Sequence, residues 1–249
     1  MRASAIEFRF RMLIMVSLVV LGFWAPWLEF PPFAALNPGH RISLLEWLAL
    51  EASRAGLLKF TYASPAVIGV AIALAGAGAV LRVWGAAYLG YETVHHAAMQ
   101  GDALMADGPY RFVRNPLYVG GWCMMAAMAF LMPPSGALVA MTLLTVFLLR
   151  LILGEEAFLG ATIGEAYRAY QRAVPRLFPR WRGSLPPAGH KPHWGVALLT
   201  EVNALGVLFI FAVLAWRYDY ELMLKAVLVS FGLSLVVRAV MPRASARPA

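Results

Sequence analysis

Hydrophobic residues form long stretches with few or no charges rather than alternating with polar ones. Stretches long enough to enter a membrane occur at residues 12–28, 60–81, 117–149, 196–216 and 220–237. A hydrocarbon core of about 30 Å takes roughly 20 apolar residues to cross. The third stretch would be about 50 Å long as one helix, too long for a single crossing. The pattern therefore predicts several membrane helices.

The sequence "MPPS" at 132–135 divides the longest stretch. Two adjacent prolines cannot continue a helix, so we predict a Pro-broken helical hairpin whose ends return to the side they started from. Each limb is short for a full span. With the other stretches, this makes about six membrane segments.

The connecting segment 29–59 has a different pattern, with apolar residues at helical spacing and acids and Arg54 on the other side. It predicts an amphipathic helix lying in the interface or packed on the bundle. The chain is therefore predicted to be an all-α integral membrane protein with a single domain, 1–249. It comprises N-terminal spans and this helix (1–81), a polar core with cytosolic-face amphipathic helices (82–182) and a C-terminal helical hairpin (183–249).

Composition agrees with a membrane protein, since 61% of residues are hydrophobic and only 14% are charged. Of the 21 Lys and Arg, 16 lie at the termini or in 82–116 and 150–195. This distribution predicts cytosolic termini and a cytosolic site. Abundant Ala, Gly and Arg are typical of a bacterial inner-membrane protein. The net charge of +8 suits anionic membrane lipids better than nucleic acid.

Metal binding is not expected. Cys123 has no partner cysteine in the chain, and it is interpreted as a core residue. The adjacent His95 and His96 would point about 100° apart on a helix, and no third ligand has suitable spacing.

Two polar clusters flank the predicted hairpin. The first, "DGPYRFVRNPLYVGG" at 107–121, reads as a turn that enters a helix, with Asn115 as N-cap and Pro116 at the first helical position. The second, "LGEEAFLGATIGEAYRAYQRAVPRLFP" at 153–179, follows the hairpin. Folding back would bring Asn115 and Tyr118 near Glu155 and Glu156. Paired glutamates at a membrane edge indicate a site, unless they only reach headgroup water or pair with Arg150.

The two clusters, in this order and at this spacing, resemble the signature of the isoprenylcysteine carboxyl methyltransferase and phospholipid methyltransferase superfamily. The resemblance covers about 82–179. It implies S-adenosyl-L-methionine as methyl donor, held on the cytosolic side, and makes 82–182 the cofactor-binding methyltransferase core. The implied cofactor-binding residues are His95, Asp102, Ala103, Leu104, Met105, Tyr110, Asn115, Pro116, Leu117, Tyr118 and Glu155. The implied catalytic residues are Asn115, Glu155 and Glu156.

Two positions depart from the family pattern. Asn115 stands where histidine is more usual; it can hydrogen-bond but cannot act as a base near neutral pH. Leu151 stands where the family often has a substrate-binding arginine. Arg150, one residue away, is taken as the substrate contact, although that offset turns a helical side chain by about 100°.

The leading hypothesis is methyl transfer to a lipid-like or apolar acceptor that enters from the bilayer. A prenyl carboxylate, a phospholipid amine and a thiol remain open as acceptors. Methyl transfer from a sulfonium needs alignment and water exclusion rather than a metal. The alternatives are an NADPH-dependent membrane sterol or lipid reductase and a non-catalytic transporter or scaffold. The two halves of the chain do not look alike, which disfavours the transporter.

Overall fold

The structure is a computed structural model that describes residues 3–24, 42–95, 106–180, 185–186, 189–217 and 219–240. Every regular element in these ranges is helical. In chain order the helices are α1 (Ala5–Arg9), α2 (Arg11–Trp24), α3 (Leu44–Arg54), α4 (Phe60–His95), α5 (Pro116–Ala129), α6 (Pro134–Thr162), α7 (Glu165–Ala173), α8 (Trp194–Thr200), α9 (Val202–Leu214) and α10 (Tyr220–Val240). The all-α prediction is confirmed for these residues.

Fewer helices qualify as membrane spans than predicted. Within the described ranges, α4 and α6 are long and apolar enough to cross a membrane, and the bent pair α8–α9 makes a third if it is counted as one span. α2 and α5 have 14 residues each, about 21 Å, which is less than the hydrocarbon core of about 30 Å. The prediction of about six spans is not confirmed, although the apolar helices agree with a membrane protein.

The hairpin is asymmetric. α5 ends at Ala129 and α6 begins at Pro134, so the chain breaks where the prolines predicted. α5 is short, as expected, but the expectation for the second limb is wrong because α6 runs for 29 residues. Its helix continues beyond the apolar stretch through Glu155 and Glu156, whose side chains find partners within the fold.

α3 closes the tip of the hairpin. Ser43 and Glu46 form a capping box at its start, and the backbone N–H of Leu44 donates to the Met132 carbonyl at 2.7 Å. Leu45 and Ala49 are buried. The sequence left open whether this helix lies in the membrane interface or packs on the bundle. Its apolar face packs on the bundle.

α4 is the central helix and runs past its predicted end at 81 to His95. The helix is not interrupted at Arg82, because the guanidinium forms an ion pair with Glu201 inside the helix bundle. One large core cluster joins α4, α5 and α9, with Ile68, Ala127 and Phe211 fully buried. The polar connection predicted from 82 therefore begins later.

The predicted fifth span, 196–216, is not continuous. α8 and α9 meet at a 69° bend, and Glu201 lies at the junction as the residue between them. α10 returns against α9, where a side chain on Gly206 would overlap Ser230.

α4 and α5 approach closely at Gly78 and Gly120. A Cβ on Gly78 would lie 2.8 Å from the Gly120 carbonyl oxygen and 2.9 Å from the Met124 amide nitrogen. The absence of a side chain at Gly78 therefore permits close contact between the two helices. Gly69 differs, since a Cβ there would meet nothing within 4 Å.

Replacing Gly78 with Ala is expected to destabilise the protein by about 1–3 kcal/mol, because backbone atoms of α5 must move away. The measurement is thermal unfolding of the purified protein in detergent. Gly69→Ala is the matched control and is expected to change stability little. Equal effects of the two substitutions would contradict close packing at Gly78.

Candidate functional site

The two polar ends of the hairpin meet at the foot of α5 and α6. The Tyr118 hydroxyl donates to Glu155 Oε2 at 2.9 Å. Asn115 Nδ2 donates to Glu156 Oε1 at 3.2 Å. The predicted juxtaposition of these residues, some 40 positions apart in sequence, is therefore confirmed.

Glu156 joins three segments through one carboxylate. It is 5% exposed, and Arg176 donates to it through Nε and through Nη2 at 2.8 Å. Arg114 Nη2 lies 3.5 Å from its other oxygen. These contacts fix the turn before α5 and the chain after α7 onto α6.

Glu155 has fewer partners than Glu156. The residue is half-buried, and of its two carboxylate oxygens only Oε2 accepts the Tyr118 hydrogen bond. Arg11, at the start of α2, provides a nearby positive charge. Glu155 therefore has acceptor capacity beyond its internal contact, which Glu156 has largely used.

Asn115 is the residue before α5, and Pro116 is the first helical residue, as predicted. The Asn115 side chain makes no capping hydrogen bond; it donates instead to Glu156 and to the Arg176 carbonyl oxygen at 3.1 Å. Asn115 therefore occupies the N-cap position as predicted, but its side chain does not cap the helix, because the amide is held by the buried carboxylate and the carbonyl. Pro116 is buried, and Leu117 packs towards Gly85 of α4.

Tyr110 lies in a 3-10 turn formed by Gly108–Arg111. Its carbonyl accepts a hydrogen bond from the Tyr170 hydroxyl at 2.8 Å, and the Tyr167 and Tyr170 rings of α7 pack with centroids 5.9 Å apart. Burial raises the pKa of the Tyr110 phenol well above its usual value, helped by Tyr170 and by Glu155. The phenol therefore stays protonated.

A strap formed by residues 174–180, 185–186 and 189–193 lies against this turn. The Arg114 amide donates to the Pro175 carbonyl at 2.9 Å, and the Arg180 amide donates to the Phe112 carbonyl at 3.0 Å. Asp107, 2% exposed, accepts from the His190 backbone at 2.8 Å and lies 2.7 Å from its ring Nδ1. Sequence reasoning missed Asp107, although an acid directly before the Gly-Pro bend was a visible signal.

α1 packs at the foot of α6. Arg150 donates to Glu7 through Nε at 3.0 Å and Nη2 at 2.9 Å, and Phe8 is buried beside Leu151. The Arg150 guanidinium is thus bound to the N-terminal helix, and it does not pair with either site glutamate. Its predicted substrate contact stays a prediction.

The ion pair between Glu7 and Arg150 is expected to be lost at acid pH. The Arg150 hydrogen bond lowers the pKa of Glu7 from 4.5 to about 2. Because the folded pKa is depressed, the attachment of α1 is fully stabilised above pH 4.5 and is lost as pH falls towards about 2. Amide hydrogen exchange of residues 3–24 across this range is the measurement. Glu7→Gln should remove the pH dependence, and unchanged exchange in the native protein would contradict the linkage.

Five predicted cofactor-binding positions lie at the end of α4 or shortly after it in sequence. Only the backbone of His95 is described, at the end of α4, and Asp102, Ala103, Leu104 and Met105 lie outside the described residues. Within the described ranges, no group of three or more His, Cys, Asp or Glu could hold a metal ion.

The helices and this site define a membrane protein whose hairpin encloses a polar centre at one end. Residues 66–166 match the family model of phospholipid methyltransferases. This segment is therefore a phospholipid methyltransferase domain of the superfamily that includes the isoprenylcysteine carboxyl methyltransferases, and the resemblance is confirmed. No curated protein matches the chain significantly. No solved structure does so either.

The family indicates membrane methyltransferase activity. The reductase alternative and the non-catalytic alternative are not favoured. Most of the described site residues fall inside the matched segment, and Glu7 and Arg11 belong to the N-terminal helices. The Tyr167–Tyr170 pair, the strap with Arg176, and Glu201 follow the matched segment in sequence.

Proposed function

We propose that this protein transfers a methyl group from S-adenosyl-L-methionine to a lipid-like or apolar acceptor in the membrane. The observation that carries the proposal is the pairing of Asn115 and Tyr118 with Glu156 and Glu155 at the foot of the hairpin. These are the positions where the family's two motifs meet. The match over 66–166 supports the reaction class.

The residues at the site fit the proposed cofactor. Its ammonium and ribose hydroxyls need an acceptor, and Glu155 has a carboxylate oxygen that Tyr118 does not use. Its carboxylate needs donors, and Arg114 Nε is buried without a hydrogen-bond partner among the described residues. When bound, S-adenosyl-L-methionine would supply the electrophilic methyl group.

The chain itself would hold the two reactants in position and exclude water from them. Glu156 fixes the turn that carries Arg114 and Asn115, and Tyr118 orients Glu155. Holding two reactants in line contributes up to roughly 7–11 kcal/mol in favourable systems. No imidazole stands at 115, so an acceptor that is already a nucleophile suits the site.

Further parts of the proposal concern location and partners. The excess of Lys and Arg beside the predicted cytosolic segments supports cytosolic termini and a cytosolic site in a bacterial inner membrane. Membrane lipids are the expected surroundings, and the acceptor is a prenyl carboxylate, a phospholipid amine or a thiol. Nucleic acid and metal ions have no role in it.

The test is incubation of the purified full chain with methyl-labelled S-adenosyl-L-methionine and a native lipid extract. We expect label in one lipid fraction. Equilibrium binding of S-adenosyl-L-methionine and of NADPH to the same preparation provides the control. Saturable NADPH binding with no binding of S-adenosyl-L-methionine would overturn the proposal.

A further inference from the structure

Arg82 and Glu201 form a partly buried ion pair that involves neither of the two site glutamates. Arg82 Nε lies 2.6 Å from Glu201 Oε2, and Nη2 lies 2.8 Å from Oε1. Glu201 is 2% exposed and sits at the bend between α8 and α9. It lies outside the matched segment 66–166. The C-terminal helices thus hold an arginine of the methyltransferase domain.

This arrangement leaves one end of the guanidinium free. Within the described part of the chain, Nη1 has no hydrogen-bond partner. It lies beside α5 at Gly121, where a Cβ would be 3.6 Å away, and the Arg82 stem crosses Gly120. The Arg82 side chain is 23% exposed, so part of this arginine is accessible to a ligand.

A second unused donor, from the 3-10 turn Gly108–Arg111, lies against the next turn of α4. Tyr110 is 7% exposed, and its hydroxyl has no partner among the described residues. That hydroxyl would lie 3.4 Å from a Cβ on Gly85, three residues after Arg82 on the same helix face. An unpaired buried hydroxyl costs free energy unless a ligand satisfies it.

Charge decides which ligand group suits these donors. Glu201 already neutralises Arg82, and Glu155 adds negative potential at Tyr110. A further anion would leave an uncompensated buried negative charge, which is unfavourable. An uncharged oxygen acceptor satisfies both donors without that cost.

We propose that Arg82 Nη1 and the Tyr110 hydroxyl form a donor site for a carbonyl oxygen, such as the ester or amide carbonyl of a lipid-like ligand. Glu201 is the positioning residue that orients Arg82 for this contact. Where the ligand is the methyl acceptor, the inference rests on the proposed function and narrows the acceptor to a carbonyl-bearing amphiphile. A neighbouring membrane lipid would present the same chemistry.

The test compares two probes that differ in their carbonyl groups: radiolabelled dioleoyl phosphatidylethanolamine and its ether-linked analogue. Their binding is measured with the purified full chain in a detergent that lacks carbonyls. The native protein is expected to bind the ester lipid about 5- to 10-fold more tightly. Equal affinity for the two lipids would overturn the inference.

Two variants test whether the preference for the ester lipid arises at Arg82 and Tyr110. The double variant Arg82→Met with Glu201→Met removes both charges together, which a buried pair tolerates better than loss of one partner. It should bind the two lipids equally. Tyr110→Phe deletes a hydroxyl with no internal bond, so it tests the site even if the double variant does not fold, and it should lower the preference about 3-fold or more. An undiminished preference in Tyr110→Phe, or in a folded double variant, would contradict the site.

The matched control is Glu221→Met with Lys225→Met, an exposed pair on α10, which should keep the native preference.

Adding methyl-labelled cofactor distinguishes the methyl acceptor from a neighbouring membrane lipid. Label in the ester lipid identifies the acceptor, whereas preferential binding without label identifies a neighbouring lipid, and both support the donor site. Absence of cofactor binding would contradict the proposed function and leave the lipid result intact. Tighter binding of dodecyl phosphate, lost in the double variant, would overturn the assignment to a carbonyl.

Discussion

Replacing Glu155 with Gln is expected to lower kcat/KM for methyl transfer by roughly 10- to 150-fold. The free energy corresponds to loss of a hydrogen bond to a charged group, about 1.5–3 kcal/mol. Glu155 has one carboxylate oxygen left for a ligand, since Tyr118 binds the other. The measurement is the initial rate of label transfer, with the cofactor dissociation constant determined in parallel.

Glu165→Gln is the matched control for this experiment. Glu165 begins α7, close in sequence to the site, but its side chain is 72% exposed. Its substitution should leave kcat/KM unchanged. A Glu155→Gln variant that folds and transfers methyl groups at the native rate would exclude Glu155 from the site.

Replacing Glu156 with Gln is expected to act on stability first, with a loss of about 3 kcal/mol. Breaking a buried ion pair by removing one partner costs about 3–5 kcal/mol, and the lower end applies because Arg176 is 42% exposed and can turn to water. The Arg114 side chain is only 9% exposed, so its charge stays buried. Thermal unfolding in detergent measures the effect.

A second substitution separates charge imbalance from loss of packing. Adding Arg114→Met to Glu156→Gln removes the buried unpaired charge and should recover part of the lost stability. Glu221→Gln, in an exposed pair on α10, should change stability by less than about 0.5 kcal/mol. No recovery in the double variant would show that Arg114 is not the source of the destabilisation.

The hairpin and its polar foot could be predicted because local chemistry dictates them. The prolines at 133 and 134 end one helix and begin the next. Motifs at both ends of an apolar stretch must then meet, which the Tyr118–Glu155 contact shows.

The length of helices could not be read from apolar stretches alone. A charge inside a stretch looks like its end, as Arg82 did. A distant partner removes that penalty, however, and Glu201 lies 119 positions away in sequence. The bend at Glu201 was missed as well: Glu201 is a charge within the predicted stretch 196–216, but the neighbouring residues do not show that it turns towards Arg82.

The roles of the two adjacent glutamates were also beyond sequence reasoning. Glu155 and Glu156 are adjacent and chemically identical, so the sequence alone gives them the same role. The helix turns them about 100° apart, which directs Glu156 to Arg114 and Arg176 and Glu155 to Tyr118.

By itself the sequence determined that this is a helical membrane protein with a Pro-broken hairpin and a methyltransferase signature at its foot, because hydropathy, proline and motif spacing act locally. Tertiary structure alone decided which charges are neutralised and which donors stay free. Those outcomes depend on partners contributed by distant segments: Glu7 for Arg150, Arg176 for Glu156 and Glu201 for Arg82.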